Sequence, residues 1–176
     1  MNSQDQKKSQ LVPNYTEDQM KIGFVVDRTN YIEHQINRII CLYLKIDKNK
    51  EDFFNEILLS NDVLGLGQKI KVFKSISEKE KWLGSKLINK KDLDDLQKII
   101  GIRNKFAHNR TNRINININI DSSTNNATIV DTYKPLTSVS NSGKLEKKKQ
   151  DEMLEKFIEI TMNLEKSLNK IEKALS

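Results

Sequence analysis

The chain is poor in the residues that break helices or cross-link a fold. Its 176 residues include two prolines, six glycines and one cysteine. The scarcity of proline and glycine permits long uninterrupted helices, and a lone cysteine excludes an internal disulfide and a CxxC metal site. This residue, Cys41, follows Ile39 and Ile40 in an apolar stretch, so we expect it to be a small core residue.

The sequence also lacks the features of membrane insertion and export. No apolar run approaches the roughly 18 residues that a membrane span requires, and the N-terminal segment MNSQDQKKSQ contains no apolar h-region. We therefore expect a cytoplasmic protein without a membrane partner. The net charge of +6 is only weak evidence for a polyanionic partner, because lysines spread along a chain mostly lie on helix faces that contact water.

Helical periodicity covers most of the chain. Residues 1–15 are polar and aperiodic and predict a disordered tail, whereas 16–176 have the length of a single domain. Thr16 predicts the cap of a long helix that ends near residue 44 or 46. Further helices are expected over about 50–59, about 68–81, from 90 with Asp92 as its cap, and over about 147–175. The predicted fold is an all-α, up-and-down bundle of about five helices.

An insertion at 113–143 interrupts the helical pattern. Residues 113–121 alternate strictly between apolar and polar side chains, and 127–133 are again rich in strand-forming residues. This pattern predicts a β-hairpin near 113–134, followed by a polar loop through Gly143. Two interpretations remain open: a decoration with an apolar isoleucine face, or a flap that covers a site or extends a dimer contact. The first is favoured, because an isolated hairpin is only marginally stable and must pack on something.

Two opposite charges project into apolar helix faces. At about 100° per residue, Arg103 falls near the middle of the apolar stripe of its helix, and Glu33 falls in the centre of the stripe on the first helix. An unpaired buried guanidinium is costly, so we expect Glu33 and Arg103 to pair. On these two residues alone, a purely structural ion pair is the favoured interpretation.

His108 lies four residues after Asn104, so both side chains share a helix face. Gln97 and Gly101 lie on the same face, and the glycine would let another helix approach closely. A lone histidine near a helix end is usually unremarkable, because the helix dipole favours it there. The other histidine, His34, belongs to no HxxxH or HExxH pattern and is interpreted as solvated.

The segment Ile102-Arg103-Asn104-Lys105-Phe106-Ala107-His108 resembles the Arg-polar-x(3–5)-His signature of HEPN domains. The surroundings agree, because a long first helix carries an inward acid and the glycine-containing segment 65–70 opens a middle helix. The motif also looks like that of the HEPN branch containing mannitol-operon repressor proteins, which likewise carry a β-hairpin decoration. The resemblance covers roughly residues 20–110 and the last helix.

The resemblance implies a homodimer formed through the motif helices, and many HEPN domains are metal-independent ribonucleases. His108 would then act as general base or acid at a ribose 2′-hydroxyl, Arg103 would stabilise charge at phosphorus, and Asn104 would orient the phosphate or the histidine. Glu33 would support the arginine. No cofactor or metal is expected, RNA is the expected substrate, and a toxin or phage-defence role would add an antitoxin as partner.

Two other functions remain open. A non-catalytic regulator resembling the mannitol-operon repressor would use Arg103, Glu33 and Asn104 to hold an interface together. A nucleotide-sensing module would bind a phosphate in the dimer cleft without cutting it. The ribonuclease is only slightly favoured, because a purely structural interface has no need of His108.

Overall fold

The structure of the protein is a computed structural model that describes residues 16–80, 88–108, 115–121, 126–133, 135–139 and 145–176. The predicted disordered tail, residues 1–15, lies outside the described residues.

Helices dominate the described part of the chain. Five α-helices and one π-helical turn are found there, and they confirm the predicted helical bundle. Their bounds are α1 Glu17–Tyr43, α2 Lys48–Phe53, the π-helical turn Phe54–Leu58, α3 Leu66–Lys79, α4 Lys90–His108 and α5 Gln150–Leu175.

Reciprocal hydrogen bonds define two helix starts. At α1, the Gln19 backbone N–H donates to Thr16 Oγ1 at 3.3 Å, and the Thr16 N–H donates to Gln19 Oε1 at 2.8 Å. This capping box confirms the predicted start. At α4, the Asp92 N–H donates to Asn89 Oδ1 at 2.9 Å and the Asn89 N–H to Asp92 Oδ2 at 3.1 Å. The prediction of Asp92 as the cap was therefore wrong, because Asn89 caps the helix and Asp92 closes the box from inside its first turn.

The core lies where α1, α3, α4 and α5 pack together. Residues at helical spacing on each helix are fully or almost fully buried, including Ile32, Ile36, Phe73, Leu96, Ile99, Phe106, Phe157, Leu164 and Leu168. Ion pairs at the rim join α1 to α5: Lys21 Nζ lies 2.6 Å from Asp151 Oδ1, and Arg28 pairs with Glu165. Cys41 is 3% exposed, which confirms its predicted place in the core.

The second predicted helix is divided into two forms. The α-helix ends at Phe53, and the following turn widens so that the Leu59 N–H donates to the Phe54 carbonyl, five residues back, at 2.9 Å. Such π-helical turns often occur at functional sites because they displace side chains from the regular helical positions. Here the turn places Asn55 and Glu56 beside α1.

The insertion contains two hairpins. Strands β1 (Asn115–Asp121) and β2 (Asn126–Tyr133) pair antiparallel, which confirms the predicted hairpin, with a register irregularity after Asn117. The predicted polar loop was wrong in part, since β3 (Pro135–Val139) pairs antiparallel with β4 (Leu145–Lys149). Leu136 on β3 is 1% exposed and belongs to the core, so its burial gives this stretch a structural role that its polar composition concealed. Because β4 extends to Lys149, α5 begins at residue 150 rather than at 147 as predicted.

Among the described residues, no helix combines the length and the apolar character needed to cross a bilayer.

Candidate functional site

The predicted motif lies on the last two turns of α4. Leu96, Ile99 and Phe106 are fully buried and fix one side of this helix against the bundle. Arg103 is half-buried at the edge of that side, and its Nη1 donates to Asn104 Oδ1 at 3.2 Å. The side-chain amide thus holds the guanidinium in place along the helix surface.

The Glu33 carboxylate pairs with Lys69, not with Arg103, so the predicted Glu33–Arg103 ion pair is wrong. Glu33 is 7% exposed and Lys69 is 1% exposed. Lys69 reaches this position because it shares the inner face of α3 with Ile70 and Phe73. A buried charge requires a partner within hydrogen-bonding distance, and the lysine is the partner that packing brings there.

Arg103 and Glu33 nevertheless lie at the same cavity, which we call the Arg103 cavity. It has a volume of about 340 Å³ and lies between α1, the start of α3 and the end of α4. Its lining includes Asn30, Glu33, Asn61, Gly67, Arg103 and Asn104. The structure therefore brings together three of the four predicted site residues.

The N-terminus of α3 adds a second source of positive potential to the Arg103 cavity. Gly65 occupies the N-cap position in an extended conformation, and no side chain within the described residues caps this helix end. The first backbone N–H groups of a helix have no intrahelical acceptor, and they carry the positive end of the helix dipole. A Cβ built on Gly67 would meet nothing within 4 Å, so a ligand has room to approach the backbone. Together with Arg103, this arrangement suits an anion such as a phosphate.

A second cavity adjoins the first, and we call it the asparagine cavity. It has a volume of about 290 Å³, and it shares Asn30, Glu33 and Asn61 with the Arg103 cavity. The rest of its lining includes His34, Asn37, Asn55, Glu56, Leu59 and Lys69. The interpretation of His34 as solvated is confirmed by its exposure, although the residue also lies at this cavity.

His108 stands apart from both cavities. It is the last residue of α4, it is exposed, and it is not part of the lining of either cavity. One helical turn, about 6 Å of rise, separates it from Asn104. Gln97, Gly101, Asn104 and His108 are all exposed, and a Cβ on Gly101 would meet nothing within 4 Å. The polar face predicted for α4 therefore exists and is open to a partner.

Several site residues were missed by the sequence reasoning. Lys69 carried a usable signal, because it falls at helical spacing with Ile70 and Phe73. Asn30 and Asn61 carried none, since one lies on a mostly polar turn of α1 and the other in a connection whose path the sequence does not specify. Within the described ranges, no group of three or more histidine, cysteine, aspartate or glutamate side chains is placed to share a metal ion.

Comparison with known proteins adds no relative to this description. No family model, curated protein or solved structure matches the chain. The resemblance of residues 102–108 to the HEPN signature therefore stays a prediction.

Proposed function

We propose that this chain is a cytoplasmic, metal-independent endoribonuclease of the HEPN type that acts as a homodimer, in a toxin–antitoxin or phage-defence pair. The observation that carries the proposal is the Arg103 cavity, where a guanidinium and an uncapped helix N-terminus line the same space. An RNA phosphate is the ligand that this combination suits.

The proposed reaction is attack of a ribose 2′-hydroxyl on the adjacent phosphorus. The P–O5′ bond breaks, and the products carry a 2′,3′-cyclic phosphate and a free 5′-hydroxyl. His108 takes the proton from the 2′-hydroxyl or returns one to the leaving oxygen. Arg103 and the helix N-terminus stabilise the negative charge that builds on the phosphoryl oxygens, while Asn104 keeps the guanidinium in place.

The exposure of His108 explains why the proposal requires two copies of the chain. Two α4 helices packed through the face of Gln97, Gly101, Asn104 and His108 would bury that face and line one cleft with two sets of motif residues. An exposed glycine in the middle of the face permits close approach of the second helix.

The decisive measurement is cleavage of a mixed RNA pool in the presence of EDTA by the wild type and by the variants His108→Ala and Arg103→Ala. We expect cyclic phosphate ends from the wild type and loss of at least 100-fold in rate for His108→Ala, the lower range for a general acid or base. Arg38→Ala is the matched control, because Arg38 is exposed on α1 and pairs with Glu172 at 2.9 Å. A folded, dimeric wild type that leaves RNA intact would reject the nuclease.

The second candidate function is a non-catalytic regulator that resembles the mannitol-operon repressor. The position of His108 outside the Arg103 cavity favours this candidate. In this case the exposed face of α4 binds a partner protein, and Arg103 and Asn104 stabilise the interface. RNA that stays intact, together with a stable complex that His108→Ala does not weaken, is the outcome that this candidate predicts.

A further inference from the structure

The asparagine cavity differs in chemistry from a phosphate site. Its lysine, Lys69, is buried in an ion pair with Glu33, and Glu56 adds a second carboxylate. Negative charge of this kind disfavours a phosphate. The side-chain amides of Asn30, Asn37, Asn55 and Asn61 each offer both a donor and an acceptor, so an uncharged ligand with a mixed hydrogen-bonding edge suits them.

One amide oxygen of this cavity has no hydrogen-bond partner among the described residues. It is the buried Oδ1 of Asn37, a residue that is 6% exposed. Buried polar atoms are almost always satisfied, and an exception calls for an explanation. A ligand bound in the cavity would lie beside this amide, because Asn37 is part of the cavity lining.

We infer that the asparagine cavity binds an unstacked RNA base with an exocyclic amino group, adenine above all, while the Arg103 cavity holds a neighbouring phosphate. The inference rests on the proposed function and assigns that enzyme a base subsite. An asparagine amide pairs with adenine through two hydrogen bonds: its oxygen accepts from the amino group, and its N–H donates to a ring nitrogen. The carboxylates of Glu33 and Glu56 are acceptors for the remaining amino proton. Uracil presents carbonyl oxygens instead and would face those carboxylates.

The position and size of the cavity fit this role. The two cavities have Asn30, Glu33 and Asn61 in common, so one nucleotide can place its base on one side of these residues and its phosphate on the other. The volume of about 290 Å³ lies just below the range of ligand pockets, which is about 300 to 1,000 Å³, so the cavity has room for a small ligand only. Leu59, at 4% exposure, adds an apolar surface for the flat side of a ring. Proteins that read single-stranded RNA take up splayed bases in this way.

The test uses nucleosides, which have no phosphate and therefore probe the asparagine cavity alone. Calorimetric titration of the full-length wild type with adenosine, guanosine, cytidine and uridine is expected to give the tightest binding for adenosine and at least 10-fold weaker binding for uridine. Asn37→Leu and Asn55→Leu are expected to abolish adenosine binding. Asn163→Leu is the matched control, because Asn163 is an exposed asparagine of α5 outside both cavities, and it is expected to bind as the wild type does.

Two independent readouts separate this inference from the nuclease itself. Arg103→Ala is expected to lose RNA cleavage and to keep adenosine binding. Adenosine binding that depends on Asn37 supports the base subsite even if RNA stays intact, and such a result would count only against the nuclease. Cleavage of RNA without adenosine binding, equal binding of uridine, or binding that survives in both folded asparagine variants would overturn the subsite.

Discussion

The two cavities share three residues and yet differ in charge. The Arg103 cavity has a half-buried guanidinium and an open helix N-terminus, whereas the asparagine cavity has further amides and a second carboxylate, that of Glu56. Glu33 is the residue that produces the difference. It lies at both cavities, and its ion pair with Lys69 removes the lysine from the set of groups that could attract an anion. One buried pair thus restricts the positive potential to the side of Arg103.

Removal of one partner of the Glu33–Lys69 ion pair is expected to have the largest effect on stability. Lys69→Met would leave the Glu33 carboxylate buried without a counter-charge, and loss of one partner of a buried pair typically costs about 3–5 kcal/mol. We expect the free energy of unfolding to fall by that amount in urea titrations followed by circular dichroism.

The double variant Glu33→Gln with Lys69→Met is the control for that experiment. It removes both charges, and replacement of a whole buried pair is often nearly neutral, so most of the lost stability should return. A loss below about 1 kcal/mol for Lys69→Met alone, as is common for exposed pairs, would mean that Glu33 has another partner.

The second prediction addresses the positive side of the comparison. Arg103→Gln is expected to weaken single-stranded RNA binding by roughly 10-fold, about 1.4 kcal/mol, and to reduce the salt slope of binding by about 0.7, the value for one phosphate contact with a single strand. Fluorescence anisotropy over a range of salt concentrations, in a His108→Ala background, measures both quantities. Arg38→Gln should change neither the affinity nor the salt slope. An unchanged salt slope for Arg103→Gln would mean that Arg103 does not contact an RNA phosphate.

The start of α1 was easier to predict than the site between the helices. The Thr16 cap follows a local rule of helix capping, and the end of the last helix follows from periodicity, and the structure confirms both. The prediction that Arg103 falls near the middle of the apolar stripe of its helix was wrong in part, since the side chain is half-buried at the edge of the side that packs on the bundle.

The partner of Glu33 depends on how three helices meet, and a projection of single helices does not contain that information. Charge alone suits either Arg103 or Lys69 as the partner; only Arg103 was predicted, and packing brings Lys69 there instead. The second hairpin was missed for a related reason. Leu136 is one of a few apolar residues in a mostly polar stretch, and its burial follows from the bundle rather than from its neighbours.

The third prediction concerns the unsatisfied amide oxygen of the asparagine cavity. Here the free energy of unfolding is expected to rise, whereas Lys69→Met is expected to lower it. Asn37→Leu exchanges a buried acceptor, which has no partner in the part of the chain that the structure describes, for an apolar group of similar size. Since an unsatisfied buried polar atom costs about 1–3 kcal/mol, we expect the free energy of unfolding to rise by about 1 kcal/mol in urea titrations. Asn163→Leu should stay within about 0.5 kcal/mol of the wild type, as surface changes usually do. A clear loss of stability for Asn37→Leu would show that the amide has a structural partner, most simply a buried water.

The smallest expected effect uses Cys41 as a probe of the wall of the asparagine cavity. Its Sγ lies 3.7 Å from Oδ1 of Asn55, which belongs to the π-helical turn. Burial raises the pKa of the Cys41 thiol above its ordinary value of 9.0, so the native protein holds this proton more tightly than the unfolded chain does. The stabilisation is therefore complete below pH 9.0 and is lost as the pH rises through the native pKa.

We expect iodoacetamide to alkylate the native protein at pH 8 much more slowly than the urea-unfolded chain, because only the thiolate reacts. Alkylation as fast as in urea would show that the π-helical turn opens readily, and the cavity would then lack the rigid wall that selective binding of a base requires.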